Sequence, residues 1–171
     1  MFSQKELHLS YTVSACTDIS TIDAQEWDAC FEQDGGPCLS YAFLLGLELS
    51  NSVGEDTGWL PYHLCIKSAG NTIAWVPGYI KTHSYGEYIF DHAWANAYAQ
   101  HGFNYYPKWV NAIPFTPVTS QRIGWINNQA RWQDLPDIIA QIKDFLYTHQ
   151  CSSMHLLFAN LTEHAHLSNS P

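Results

Sequence analysis

Residues 134–149 read DLPDIIAQIKDFLYTH, and this stretch decides the fold class. Leu135, Ile138, Ile139, Ile142, Phe145 and Leu146 recur at helical spacing. Asp134, Pro136 and Asp137 suit a first turn, and His149 suits a last one. An amphipathic helix must bury its apolar face. The run after it, SSMHLLF at 152–158, reads as a largely buried strand, so the helix is expected to pack on a sheet.

Working outward, LHLSYTVSA at 7–15 alternates apolar and polar residues, which predicts a strand with one wet face. Ser20 or Thr21 is placed to cap a short helix carrying Trp27 and Phe31 one turn apart, before the breaker Asp34-Gly35-Gly36-Pro37. A second helix is expected from about Ser40 to Leu49, with Phe43, Leu44 and Leu47 on one side. The runs Trp59 to Ile66 and Thr72 to Ile80 flank Ser68-Ala69-Gly70-Asn71 at hairpin spacing, and Pro61 and Pro77 mark a bulge, an edge or a strand end. DHAWANAYAQHG at 91–102 reads as a helix with Asp91 as N-cap and Gly102 as stop. Tyr105 to Phe115 reads as extended, and Thr162-Glu163 opens a last helix. No repeat interrupts this α/β or α+β order, so a mixed sheet with helices on its faces is predicted.

The 171 residues fit one domain. Lys5 and ten acids give residues 1–60 a net charge of −9, whereas the remaining 111 residues balance six bases against six acids. That acidic flank reads as a solvated face, and a net −9 argues against a nucleic-acid partner, which requires neutralisation of phosphates. Rings concentrate elsewhere: residues 75–132 hold 14 aromatic side chains. No run approaches the ~20 apolar residues of a bilayer span, and MFSQKELHLS lacks an apolar signal core, so no membrane and a cytoplasmic location are expected. Five cysteines with no close pair suggest buried thiols, neither a disulfide framework nor a zinc site.

KTHSYGEYIFDH at 81–92 is the densest ionisable stretch, gathering Lys81, His83, Tyr85, Glu87, Asp91 and His92. A histidine beside carboxylates can act as base and orienter, or the polar residues can simply cap the following helix. A third ligand at metal spacing is missing, so no metal is expected. His164 and His166 form an H-x-H on what reads as a frayed tail. FNYYPKWVNAIPFTPVTSQR at 103–122 joins Tyr105, Tyr106 and Trp109 to Lys108 and Arg122. There Pro114 and Pro117 stiffen the backbone around Thr116 for presentation to a ligand, or the segment closes the core.

The strings Thr57-Gly58-Trp59-Leu60-Pro61, KTHSYGE within 81–87, Phe90-Asp91 followed by Trp94-Ala95, Tyr105-Tyr106-Pro107-Lys108 and Pro114-Phe115-Thr116-Pro117-Val118 occur in this order. Over about residues 27–160 they resemble the FemAB-like peptidoglycan biosynthesis or recognition family, a branch of the GNAT acyltransferase superfamily. The resemblance implies an acyl-CoA N-acyltransferase fold, a twisted mixed sheet flanked by helices, with residues 1–171 as one GNAT-like domain matching the first of two tandem domains. It implies transfer from acyl-CoA, with no other cofactor, to a small-molecule or peptide amine. Glu87 and His83 are the catalytic candidates. Lys81, Tyr85, Asp91, Trp94, Tyr105, Tyr106, Lys108 and Thr116 are candidates for substrate binding. Lys108 is expected to face negative charge. The superfamily's phosphate-holding loop is only faintly echoed by Gln121-Arg122-Ile123-Gly124. A homodimer, or pairing with a second GNAT-like domain, is the expected assembly. A non-catalytic binding or interaction module is the alternative reading.

Overall fold

The computed structural model describes residues 11–168. In chain order the elements are β1 (Tyr11–Cys16), α1 (Ala24–Phe31), α2 (Tyr41–Leu49), β2 (Trp59–Pro61), β3 (His63–Ser68), β4 (Asn71–Val76) and β5 (Tyr79–Lys81). They continue with α3 (His92–Gln100), β6 (Lys108–Asn111), β7 (Gly124–Trp125), α4 (Leu135–Thr148), β8 (Met154–Leu156) and α5 (Leu161–Leu167). The mixed α/β class follows the sequence pattern, with the strands divided between two sheets. One, ordered β1-β3-β4-β7, is antiparallel throughout; the other, β2-β5-β6-β8, ends in a parallel pair.

Proline explains the division. Pro61 ends β2 in one sheet before β3 begins in the other, and Pro77 closes β4 before the chain crosses back into β5. A residue without an N–H ends a ladder cheaply at both places. Tyr62 N–H bonds the Gly78 carbonyl at 2.8 Å, pinning the two crossings together. Gly78 also admits the fully buried indole of Trp109 so closely that a Cβ would overlap it. Gly78→Ala is therefore expected to lower unfolding free energy by about 1–3 kcal/mol, checked by urea unfolding.

The antiparallel sheet is covered on both faces. Leu64, Ile66, Ala74 and Val76 join the α4 residues Leu135, Ile138, Ile139, Ile142 and Leu146 in one cluster, while the alternate residues Cys65 and Trp75 join Trp27 and Phe31 of α1 and Leu44 of α2 in another. Alternation along a strand sends neighbours to opposite faces, so α4 lies on one side and α1 and α2 on the other. This is why β3 and β4 read as continuous apolar runs.

Several boundaries shift. Asp23, not Ser20 or Thr21, caps α1 by accepting the Glu26 N–H at 2.8 Å; Ser20 and Thr21 belong to a preceding turn capped by Asp18. Ser40 caps α2 as expected. The first strand begins at Tyr11, and residues 7–10 of the expected one lie outside the described residues. The extended run expected at 105–115 narrows to β6, and that at 152–158 narrows to the half-buried β8. The H-x-H sits within α5, where the His166 ring stacks on Trp132 at 4.5 Å between centroids.

Candidate functional site

Strands β5 and β6 pair antiparallel with Lys81 directly opposite Lys108. Cross-strand partners share a face, so the register puts two ammonium groups side by side, and both lysines are fully buried. Such a pair is tolerable only if carboxylates join it. The segment 82–91 folds back over the strand ends and delivers them. Lys108 Nζ donates to Glu87 Oε2 at 2.8 Å, Asp91 Oδ2 at 2.5 Å and Ser84 Oγ at 3.1 Å, which uses all three of its donors. Tyr105 OH donates to the same Asp91 oxygen at 2.7 Å, and Ser84 Oγ and Tyr106 OH share a 2.7 Å hydrogen bond. Lys81 Nζ donates to the Tyr85 carbonyl at 3.1 Å and lies 3.9 Å from the centre of a Trp59 ring.

Two lysines and two carboxylates leave the cluster neutral, yet their environments pull their acidities apart. Burial lowers the Lys81 ammonium to about 8, assisted by Lys108 and opposed by Glu87. Burial raises the Glu87 carboxyl despite the bond from Lys108. For Asp91, burial also pushes upward, but hydrogen bonds from Lys108, Ser84 and Tyr105 outweigh it and hold the group at about 2. Glu87 Oε1 and Asp91 Oδ1 are buried with no hydrogen-bond partner. Each retains accepting capacity beside a positive charge.

The sequence strings that converge here are those of a known family. A family profile described as FemAB-like, peptidoglycan biosynthesis/recognition, matches residues 18–171. The chain belongs to the FemAB-like family. No curated protein and no solved structure matches it significantly.

In this FemAB-like chain the 81–91 and 105–108 strings, far apart in sequence, build one cluster from Lys81, Glu87, Asp91, Tyr105, Tyr106 and Lys108. The other candidates lie around or away from it. His83 is half-buried and accepts the Tyr85 N–H at 3.2 Å through Nδ1; burial and the Lys81 charge lower its proton affinity and so favour the neutral ring. Its ring lies against Gly58, which has φ 65° and leaves no room there for a Cβ. Tyr85 and Trp94 are exposed, at 70% and 66%. Thr116 is not part of the cluster: its hydroxyl donates to the Pro114 carbonyl at 3.0 Å. Lys108, expected to face a substrate's negative charge, has spent its donors internally, which leaves Lys81 with N–H groups to spare.

Sequence reasoning passed over Ser84, Trp59 and His155. Ser84 lies inside the KTHSYGE string but carries no local signal of its own. His155, from β8, sits edge-on to Tyr105 at 6.3 Å, and burial and Lys108 lower its proton affinity. A second buried site was also missed. Both Glu163 oxygens accept the Arg122 N–H, at 2.9 and 2.7 Å, and Oε1 also accepts the Ile123 N–H at 2.9 Å. These are amides within the Gln121–Gly124 segment that faintly echoes a phosphate loop, and that segment runs into β7, not into a helix. Among the described residues no group of His, Cys, Asp and Glu is arranged to hold a metal, and no helix is long and apolar enough to cross a membrane.

Proposed function

We propose that this FemAB-like chain is an N-acyltransferase acting on an amine-bearing, peptide-type substrate of peptidoglycan chemistry, as a GNAT-like domain equivalent to the first of a tandem pair. The observation that carries the reading is Glu87: a carboxylate with raised proton affinity and an unpartnered Oε1, set beside two ammonium groups. A general base needs both spare accepting capacity and a proton affinity moved toward working pH. In the reaction the amine lone pair attacks the acyl carbon of a thioester. The C–N bond forms as the C–S bond breaks, the nitrogen proton passes to Glu87 Oε1, and the thiolate leaves to be protonated in turn. Lys81 is the cation able to face the developing oxyanion. Glu87 is 3% exposed and lies between Tyr85 and Tyr88, which stand in solvent, so a substrate amine reaches Oε1 once the side chains that cover it move aside. The Arg122 and Ile123 amides are engaged by Glu163 and the Gln121 amide by the Asp34 carbonyl, so they do not form a cradle for donor phosphates and no step is assigned to them.

Mixing the protein with an acyl-CoA probe and lysine-containing peptides should release free thiol. Glu87→Gln should cut kcat by about 10²–10⁴ with little change in KM. The acid limb of kcat/KM should lie above the ordinary carboxylate range, because Glu87 must be ionised to accept the proton and its affinity is raised. Absence of turnover would end the catalytic reading. The saturation of Lys108 and the closure over Glu87 favour a second one, a recognition module that holds the peptide without reaction. Calorimetric binding of the same peptides without turnover identifies that case.

A further inference from the structure

Helix α3 buries none of its residues, although it carries Trp94 and Tyr98 one turn apart. Nine residues are too few for a helix to persist in water on its own propensity, and most helical stability comes from packing of a face. At its start Phe90 is 87% exposed, and beyond its end Phe103 is 68% exposed. Trp94, Ala97, Tyr98, His101 and Phe103 line an open apolar groove of about 510 Å³. With the exposed parts of Tyr88 and Ile89, the rings present roughly 700 Å² at the usual ~200 Å² per aromatic side chain. Summed over residues 88–103, that approaches the ~800 Å² each partner contributes to a standard interface.

We infer that this face is an interface for a second copy of the chain, meeting α3 to α3 about a two-fold axis. Two observations select a copy over other occupants. The first is charge: between residues 88 and 106 the one formally charged side chain is Asp91, which is buried and paired with Lys108. Two chains of net −9 repel least when they meet through such a neutral surface, and their acids concentrate in residues 1–60. The second is shape: Phe90 protrudes two residues before α3, and the groove along α3 has the same apolar character. A two-fold pair lets each copy seat its phenylalanine in the other's groove, the self-complementarity an isologous contact requires. The inference stands whether or not the Glu87 site performs acyl transfer.

Sedimentation velocity on the chain from about 10 μM upward should give the mass of a dimer. Phe90→Glu and Phe103→Glu should each weaken association by at least about 30-fold while leaving the far-UV spectrum unchanged, since both rings stand mostly in water. Leu161→Glu, at an 88% exposed position on α5, should leave the dimer intact. A wild-type monomer throughout the range overturns the inference, whatever else binds the groove. So does a dimer that survives both phenylalanine variants, or one that Leu161→Glu alone dissolves.

Discussion

Lys108→Met should lower the unfolding free energy by about 3–5 kcal/mol, the usual cost of removing one partner of a buried ion pair. Lys108 is fully buried, and its ammonium holds Glu87 and Asp91 at 2.8 and 2.5 Å. Methionine fills much of the same volume, so the loss is mainly electrostatic: two carboxylates stay in low dielectric with Lys81 as the remaining cation. The pH dependence separates this from a packing defect. In the native protein Asp91 is held at about 2, below the ordinary 3.8, so its share of stability is present above 3.8 and fades as pH falls through 2. Without Lys108 the buried carboxylates should bind protons more readily folded than unfolded, so the variant should gain stability as pH falls through the carboxylate range. In urea unfolding between about pH 3 and 7 the stability gap between native protein and variant should therefore narrow as pH falls. Adding Glu87→Gln to the variant should cost less than the sum of the two single changes, with a coupling of about 1–3 kcal/mol.

How much of this was legible depended on the sequence distance over which each contact forms. Helix α4 could be read because one element's period determines which of its residues are buried, and the β3–β4 hairpin because Gly70, at φ 82°, lies in the connection between its strands. The 81–91 stretch announced itself by density of charge. That Lys108 completes it follows from the β5–β6 register, a long-range choice no local pattern encodes; residue types alone would place Lys108 at a substrate, not in a sealed network. Asp91 was correctly placed before α3, yet its carboxylate makes no cap bond, because the buried ammonium outcompetes the helix amides. The helical reading of 91–102 did not say which way the aromatic residues of α3, among them the substrate-binding candidate Trp94, would face. Only the fold reveals that they face outward. Glu163 looked like a first-turn acid, and nothing local connects it to amides 40 and 41 residues away.

Glu163 carries the second large effect. Its carboxylate is 1% exposed and docks α5 onto the 120–125 segment through the amides of Arg122 and Ile123. Asn160 caps the same helix, accepting the Glu163 N–H at 2.8 Å while its amide reaches Asp34 Oδ2. The guanidinium of Arg122 is committed elsewhere, to the carbonyls of Leu157 and Val118 and to Ser120, so it attracts Glu163 without bonding it directly. Glu163→Ala strands two buried N–H groups beside a buried cation and should cost about 3 kcal/mol. Glu163→Gln keeps the shape and should cost less. Burial raises the Glu163 carboxyl to about 7, against the lowering effect of both amides and Arg122 and with Asp34 adding to the rise. A carboxyl raised on folding binds more protons folded than unfolded between its two values. Its stabilising share is thus complete below about 4.5 and lost as pH climbs through 7. Relative to Glu163→Gln, the native protein should therefore lose up to about 3 kcal/mol between pH 4.5 and 7.5, read as converging urea midpoints. Amide exchange in α5 should accelerate over the same interval in the native chain and stay level in the glutamine variant. Flat exchange in both would mean that the helix is held by its Trp132–His166 stack and its Asn160 cap, not by the buried carboxylate.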